Sequence, residues 1–182
     1  NYINYPRADY RLTSEDIITG SYVLSKLTIG ALESPAIRAK LIGYSSDGAL
    51  VRGLSTPALA YLAIFSAQEQ FSTESIGRLF AEFENRSGID ARGTIVKQNP
   101  ASPSQFTENA VVDTALAIKA FSEAKREMPL LPGYLRAIKT GKGRDGGWGS
   151  TYNTIIVIDA MTEYLKWKNE ANAHMNVSAT LD

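Results

Sequence analysis

Residues 55–65, which read STPALAYLAIF, decide the fold class. Ser55 and Thr56 are typical helix-capping residues, and Pro57 suits a first helical turn because that turn does not use its amide hydrogen. The residues that follow are apolar on nearly every side of a helix. A helix without a polar face has to be buried all round, so this stretch predicts an inner helix covered by other elements.

Two later stretches repeat this pattern. Residues 113–117 (DTALA) belong to an apolar helix that runs to Phe121, and residues 153–157 (NTIIV) begin another that ends near Asn169. Aligned with TPALA at residues 56–60, they form a degenerate repeat. The sequence therefore predicts three helices that are buried on all sides.

Helices with a polar face alternate with these buried helices. Residues 73–84 show the pattern best, because their apolar side chains recur at the i, i+3, i+4 and i+7 spacing of one helical face. Residues 85–103 contain glycines, prolines and a brief β-like stretch at 94–96, and are predicted as a long excursion outside the core. Further helices are predicted at residues 14–29, 36–42 and 131–138, with a cap at 107–109 for the second buried helix. The polar residues 45–48 (SSDG) are predicted to break the helical pattern after the helix at 36–42.

An inner layer of apolar helices and an outer layer of amphipathic ones is typical of α-hairpin repeats. We therefore predict an all-α fold, either a closed α/α toroid or an open part of one. Residues 176–181 alternate apolar and polar side chains, which predicts a strand that leaves the helical body. The helical domain is assigned to residues 1–172, and an extended segment that leads to a following β-domain to residues 173–182. Since residues 1–7 contain neither an initiator Met nor a signal peptide, we expect a fragment of a longer chain.

The composition excludes several kinds of chemistry. The chain has 19 Lys and Arg against 19 Asp and Glu, no Cys and one His. Because the net charge is zero, no nucleic-acid partner is expected. A thiolate nucleophile, a Cys/His metal site and a His-dependent triad are excluded, and no metal or other cofactor is predicted. The longest apolar runs are far shorter than the roughly 20 residues of a membrane helix, so no membrane insertion is expected.

Residues 146–154, GGWGSTYNT, and the apolar helix that follows them resemble an element of the α2-macroglobulin family. In that family the element starts an inner helix near the end of the thioester-containing helical domain, which is an α/α toroid. The resemblance implies that most of this chain is the later part of such a toroid. It implies structural roles and no catalytic, cofactor or metal role for Gly146, Gly147, Trp148, Gly149, Ser150, Thr151 and Thr154.

The resemblance also implies a function, which is protease trapping by a non-enzymatic domain. In that mechanism a bait region elsewhere is cleaved, and the large chain rearranges around the attacking protease. The implied partners are proteases and other domains of the parent chain, and the implied location is extracellular, periplasmic or on the cell surface. Active family members carry a Cys-x-Glu-Gln thioester motif. Here residues 67–70 read AQEQ at the end of an apolar helix, so no thioester can form within this chain.

Two other function classes remain open. The DGGWG turn at residues 145–149 is also similar to the Asp-Gly-x-Trp element of terpenoid cyclases, although no Asp-rich ionisation motif is present. Asp113 and Asp159 would suit a two-carboxylate glycosidase if both lined one cavity. These two enzymes form one class, and the other class is a helical-repeat interaction module unrelated to protease inhibition. A test of the enzyme class is whether Asp113, Asp145 and Asp159 face one concavity.

Two surface motifs have simpler explanations. Lys139, Lys142 and Arg144 surround two glycines and could cradle a phosphate, but the Walker pattern is absent and a solvated loop explains them. Asn85 and Asn176 begin triplets that fit the N-glycosylation sequon, which matters only in a eukaryotic secretory protein.

Overall fold

The structure is a computed structural model that describes residues 12–27, 34–99, 110–144 and 146–170. Helices make up about 71% of these residues, so the chain is mostly helical, as the hydrophobic pattern predicts. A small two-stranded sheet accompanies the helices. The predicted cap at 107–109, the predicted strand at 176–181 and the extended segment at 173–182 lie outside the described residues.

The described residues form eight helices and two strands. They are α1 (Ser14–Leu27), α2 (Pro35–Ser46), α3 (Gly48–Gly53), α4 (Thr56–Gln68), α5 (Thr73–Arg86), β1 (Ser87–Asp90), β2 (Gly93–Val96), α6 (Ala110–Glu123), α7 (Leu131–Thr140) and α8 (Thr151–Lys168).

Three of the predicted helix starts are capped as the sequence indicates. The side chains of Ser55, Ser72 and Ser150 accept hydrogen bonds from backbone amides in the first turns of α4, α5 and α8. Each bond satisfies a donor that has no partner within its own helix. Local capping therefore fixes where these helices begin.

The helices form two layers. The first is a row in which α1 contacts α4, α4 contacts α6, and α6 contacts α8. The second layer packs on this row: α2 and α5 contact α4, while α7 contacts α6. The antiparallel hairpin of β1 and β2 joins this second layer, because β2 contacts α6 and α7. We call the row of α1, α4, α6 and α8 the inner row, and the other helices with the hairpin the outer layer.

The core lies between the two layers. Phe121 of α6 packs against Phe80 and Phe83 of α5, with ring centroids 4.7 and 6.0 Å away. All three rings are almost completely buried, as are Leu59 and Ile64 of α4. The apolar sides of α4 and α6 are therefore covered, as predicted for the first two buried helices.

The boundary predicted between residues 42 and 48 is wrong. α2 continues to Ser46, and α3 begins at Gly48, so only Asp47 separates the two helices. The Asp47 side chain accepts hydrogen bonds from the amides of Ala49 and Leu50. The polar stretch that reads as a helix breaker is a capping sequence for a second short helix.

The described part of the predicted excursion, residues 85–99, is closer to the core than expected, and residues 100–103 lie outside the described residues. Residues 87–96 form the β-hairpin, in which Val96 is fully buried and its amide donates a 3.0 Å hydrogen bond to Thr114 Oγ1. Gly93 has a φ of 144°, and a Cβ there would lie 2.8 Å from the carbonyl oxygen of Gly133. A close approach between the hairpin and α7 therefore requires glycine at this position.

The prediction that α8 is buried on all sides is wrong. Only Val157 and Ala160 of this helix are buried, whereas Ile155 and Ile158 are 59% and 54% exposed. In the described structure α8 is the last member of the inner row and has its main contact with α6. α8 therefore has more apolar side chains than its described neighbours bury.

The C-terminal ends of α4, α6 and α8 share one capping geometry. A residue one or two positions after each end, Gln70, Lys125 or Asn169, has a positive φ between 50° and 58°. Its amide bonds to the carbonyl three residues earlier, and the next amide bonds to the carbonyl of Ser66, Phe121 or Leu165. This Schellman arrangement gives a structural alignment of the three helices that is independent of side-chain similarity.

Candidate functional site

The turn that carries the family resemblance joins α7 to α8. Gly146 and Gly149 have φ values of 84° and 96°, which glycine adopts without the strain that a side chain would cause. The amide of Gly143 donates a 2.7 Å hydrogen bond to the carbonyl oxygen of Gly147 and closes the loop. Their positive φ angles therefore explain why two of the predicted structural residues are glycines.

Trp148 connects this turn to both helices. Its indole Nε1 donates a 2.8 Å hydrogen bond to the carbonyl oxygen of Ile138 in α7. Its backbone amide donates to Thr154 Oγ1 at 3.1 Å, and its carbonyl accepts from Asn153 Nδ2 at 3.2 Å in α8. The ring is partly buried against the core. Trp148 and Thr154 therefore hold the start of α8 beside the end of α7.

The remaining predicted residues of this turn have smaller roles. Ser150 caps α8 by accepting a 3.1 Å hydrogen bond from the amide of Asn153. Thr151 is the exposed first residue of α8. The polar side chains of the turn thus form hydrogen bonds with backbone groups of the turn itself, of α7 and of α8.

The basic cluster beside the turn lies on the surface. Lys139, Lys142 and Arg144 are exposed. The ammonium of Lys142 lies 5.9 Å from the centroid of the Trp148 ring, within the range of a cation–π contact. This contact gives one of the three cations a structural partner at the turn.

The three carboxylates of the enzyme hypothesis have different surroundings. Asp145 lies outside the described residues. Asp113 is completely buried in the first turn of α6, whereas the Asp159 side chain is 46% exposed and forms an ion pair with Lys119. Lys119 lies six residues after Asp113 on α6, or about 9 Å along the helix axis. A shared two-carboxylate site is therefore not supported.

A network that sequence reasoning missed is centred on Glu123 at the C-terminal end of α6. The Glu123 side chain is only 6% exposed, and its oxygens lie 2.9 Å from Lys26 Nζ and 3.6 Å from Lys119 Nζ. It also accepts hydrogen bonds from Gln68 Nε2 at 2.9 Å and from the Tyr22 hydroxyl at 3.4 Å. One carboxylate therefore joins α1, α4 and α6.

Lys119 extends this Glu123 network to α8. It is 9% exposed and contacts the carboxylates of both Glu123 and Asp159. A buried ammonium needs such partners because burial penalises its charge. All four helices of the inner row are therefore linked by charge-assisted contacts. The available sequence signal was the pair at positions 119 and 123, which places a Lys and a Glu one turn apart at the end of an apolar helix.

Two stacked tyrosines lie beside the network. The rings of Tyr22 and Tyr61 are 4.2 Å apart and nearly parallel, with an interplanar angle of 13°. Burial, followed by the negative charges of Glu123 and Asp159, raises the pKa of Tyr22. Burial is also the main reason that the pKa of Tyr61 is raised to about 12. Both phenols are therefore neutral at physiological pH and unsuited to act as bases there.

The short AQEQ match is part of a helix end. Gln68 bonds to Glu123, and the Glu69 carboxylate lies 3.4 Å from Arg38 Nε. Gln70 adopts the left-handed conformation that ends α4. These residues thus have structural partners in the described fold. Asn85, the start of one sequon, lies in the last turn of α5, and Asn176 lies outside the described residues.

The described residues contain no group of three or more His, Cys, Asp and Glu side chains placed to hold a metal ion. Among the helices that the structure describes, none has both the length and the apolar character needed to cross a membrane. No protein-family model matches the chain, and comparisons with curated proteins and with solved structures find no match.

Proposed function

We propose that this chain is a non-enzymatic helical domain of a protease-trapping protein similar to the α2-macroglobulin family. The observation that carries the proposal is the turn at residues 146–154. Its sequence resembles the family element that starts an inner helix, and here it begins α8 of the inner row. The hydrogen bonds of Trp148 and Thr154 serve the junction of α7 and α8, which fits a structural role.

The layered arrangement supports the same proposal. In the inner row, α4 and α6 each have a neighbour on both sides, whereas α1 and α8 are its two ends. We infer that further α-hairpins of a longer parent chain pack against these two ends and complete an α/α toroid. Residues 1–172 would then belong to that toroid, and residues 173–182 would lead to a β-domain. The parent would act outside the cell, in the periplasm or at the cell surface.

The test uses the full-length natural protein that contains this chain. It is incubated with trypsin, and the protease is then assayed on a small peptide substrate and on a large protein substrate. A trap leaves cleavage of the small substrate intact and suppresses cleavage of the large one, because the enclosed active site stays functional. Equal activity on both substrates, with or without the protein, would refute the proposal. Methylamine treatment with thiol titration then separates thioester-dependent from thioester-free trapping.

The second candidate is an α/α-toroid enzyme, and the Glu123 network is the observation that favours it. The half-exposed carboxylate of Asp159 lies beside a buried ammonium, close to a tyrosine pair, on the inner row. The second carboxylate of such a site would be Glu123 rather than Asp113, because Lys119 contacts both Glu123 and Asp159. The substrate would be an uncharged sugar or isoprenoid. Hydrolysis of aryl glycosides by the wild type, abolished in Asp159→Asn, would support this candidate. Activity that is equal in the two proteins would oppose it.

A further inference from the structure

The outward side of α8 carries an aliphatic stripe. Ile155 and Ile158 are one helical turn apart, and they are 59% and 54% exposed. Thr162, the next residue on this side, is also exposed. The nearby charges are already paired, because Lys166 bonds to Glu163 and Asp159 bonds to Lys119. We call Ile155, Ile158 and Thr162 the α8 stripe.

The shared C-terminal caps show which residues of α4 and α6 correspond to the stripe. The capped carbonyls of Ser66, Phe121 and Leu165 are equivalent, and counting back from them aligns Ile158 with Thr114 and Leu59. Thr114 and Leu59 are completely buried. The other equivalent positions are also at most 2% exposed, and they are Val111 and Thr56 for Ile155, and Ile118 and Ala63 for Thr162.

Outer-layer elements cover these equivalent positions where the contacts are defined. Thr114 Oγ1 accepts a 3.0 Å hydrogen bond from the amide of Val96 in β2. Phe121, on the same side of α6, packs on Phe80 of α5. The α8 stripe lacks an equivalent cover among the described residues. The α8 stripe is therefore exposed although the equivalent positions of α4 and α6 are buried, and a polar sequence is not the reason.

We propose that the α8 stripe is a docking surface for an outer-layer helix from outside residues 1–182, which presents an aliphatic face. This inference rests on the proposed function, because the further α-hairpins that complete the toroid would supply the helix. A helix fits because α5 packs on this side of α6 through Phe80 and Phe121, and α7 also contacts α6. An aliphatic face fits because the stripe is uncharged, and its burial removes apolar surface from water.

Single cysteines can report on this surface, because the chain has no Cys. Ile158→Cys is the reporter, and Ile89→Cys, at a hairpin position that is 87% exposed, is the matched accessible control. Ala63→Cys, at a fully buried position equivalent to Thr162, is the protected reference. The labelling rate with a maleimide is measured in residues 1–182 alone and in the full-length natural protein, each with any other cysteine replaced.

We expect Ile158→Cys to label about as fast as Ile89→Cys in residues 1–182 alone, and at least about tenfold more slowly in the full-length protein, since labelling there requires local opening. Fast labelling of Ile158→Cys in the full-length protein would overturn the proposal. Protection in residues 1–182 alone would also overturn it. If that protection depends on concentration, it indicates a second copy, and if removal of residues 171–182 abolishes it, it indicates the chain's own end. If the full-length protein traps trypsin but Ile158→Cys labels fast, only this docking is rejected. If Ile158→Cys is protected but trypsin is not trapped, only the proposed function is rejected.

Discussion

The indole Nε1 of Trp148 donates a 2.8 Å hydrogen bond to the backbone carbonyl oxygen of Ile138. This bond spans the loop between α7 and α8 and occupies a carbonyl near the C-terminal end of α7, where acceptors lack partners within the helix. The same residue bonds through its backbone to Thr154 and Asn153 of α8. Trp148 therefore fixes the geometry of the last described hairpin.

Trp148→Phe should destabilise the protein by about 1 kcal/mol, because it removes this hydrogen bond and keeps most of the ring. Trp148→Ala should cost about 3 kcal/mol, because it also removes partly buried apolar surface. The free energy of unfolding is measured by urea denaturation with far-ultraviolet circular dichroism. Trp167→Phe is the matched control, since Trp167 is the other Trp of the chain. A Trp148→Ala midpoint equal to that of the wild type would contradict the role assigned to the turn.

Glu123 should contribute more to stability than an ordinary surface carboxylate. Glu123→Ala leaves Lys26, Gln68 and Tyr22 without their acceptor in the network, so we expect a loss of about 3 kcal/mol. Glu163→Ala is the control, because its ion pair with Lys166, 61% exposed, is solvated and should cost less than about 1 kcal/mol. The two variants are compared by thermal and urea unfolding. Equal losses would show that the network adds nothing beyond a surface pair.

The sequence predicts the local elements of this fold well where capping and periodicity agree. Ser55, Ser72 and Ser150 mark the starts of α4, α5 and α8, and the apolar positions of α4 and α6 are buried as expected. These features depend on residues close together in the chain. The same local signals also place the α7–α8 turn between two helices.

The remaining features depend on contacts between distant residues. Glu123 and Lys26 lie 97 positions apart, so no local pattern could reveal their ion pair. The stretch around Asp47 caps a second helix although its composition suggests a break. The apolar sequence of α8 predicts burial, but burial also requires a neighbour, which hydrophobicity alone does not supply. The exposed Ile155 and Ile158 show this difference directly.

Lys125→Gly should stabilise the protein. Lys125 has a φ of 50° at the end of α6, in the left-handed region where a side chain costs roughly 1 kcal/mol and glycine costs little. The greater freedom of glycine in the unfolded chain offsets part of the gain, so we expect about 0.5 kcal/mol. Asn169→Gly, at the equivalent end of α8, should gain less, because Asn tolerates this conformation. A loss of stability in Lys125→Gly would show that the Lys125 side chain makes a stabilising contact.

Stability should fall at alkaline pH as phenols that the fold keeps neutral become ionised, among them those of Tyr61 and Tyr134. Burial is the main cause that raises the pKa of Tyr61 and of Tyr134 from 10.0 to about 12. Between these values the unfolded chain releases the phenol proton and the folded protein keeps it, so the folded state binds more protons. The stabilisation is complete below about pH 10 and is lost as the pH rises towards 12.

Each of these tyrosines should contribute roughly 2 to 3 kcal/mol to this loss. The measurement is the free energy of unfolding by urea at several pH values between 8 and 12, with phenolate absorbance recorded in parallel. Tyr61→Phe removes one ionisable group and should flatten the pH dependence. If Tyr61→Phe and the wild type lose stability with the same slope, Tyr61 is not held neutral by the fold.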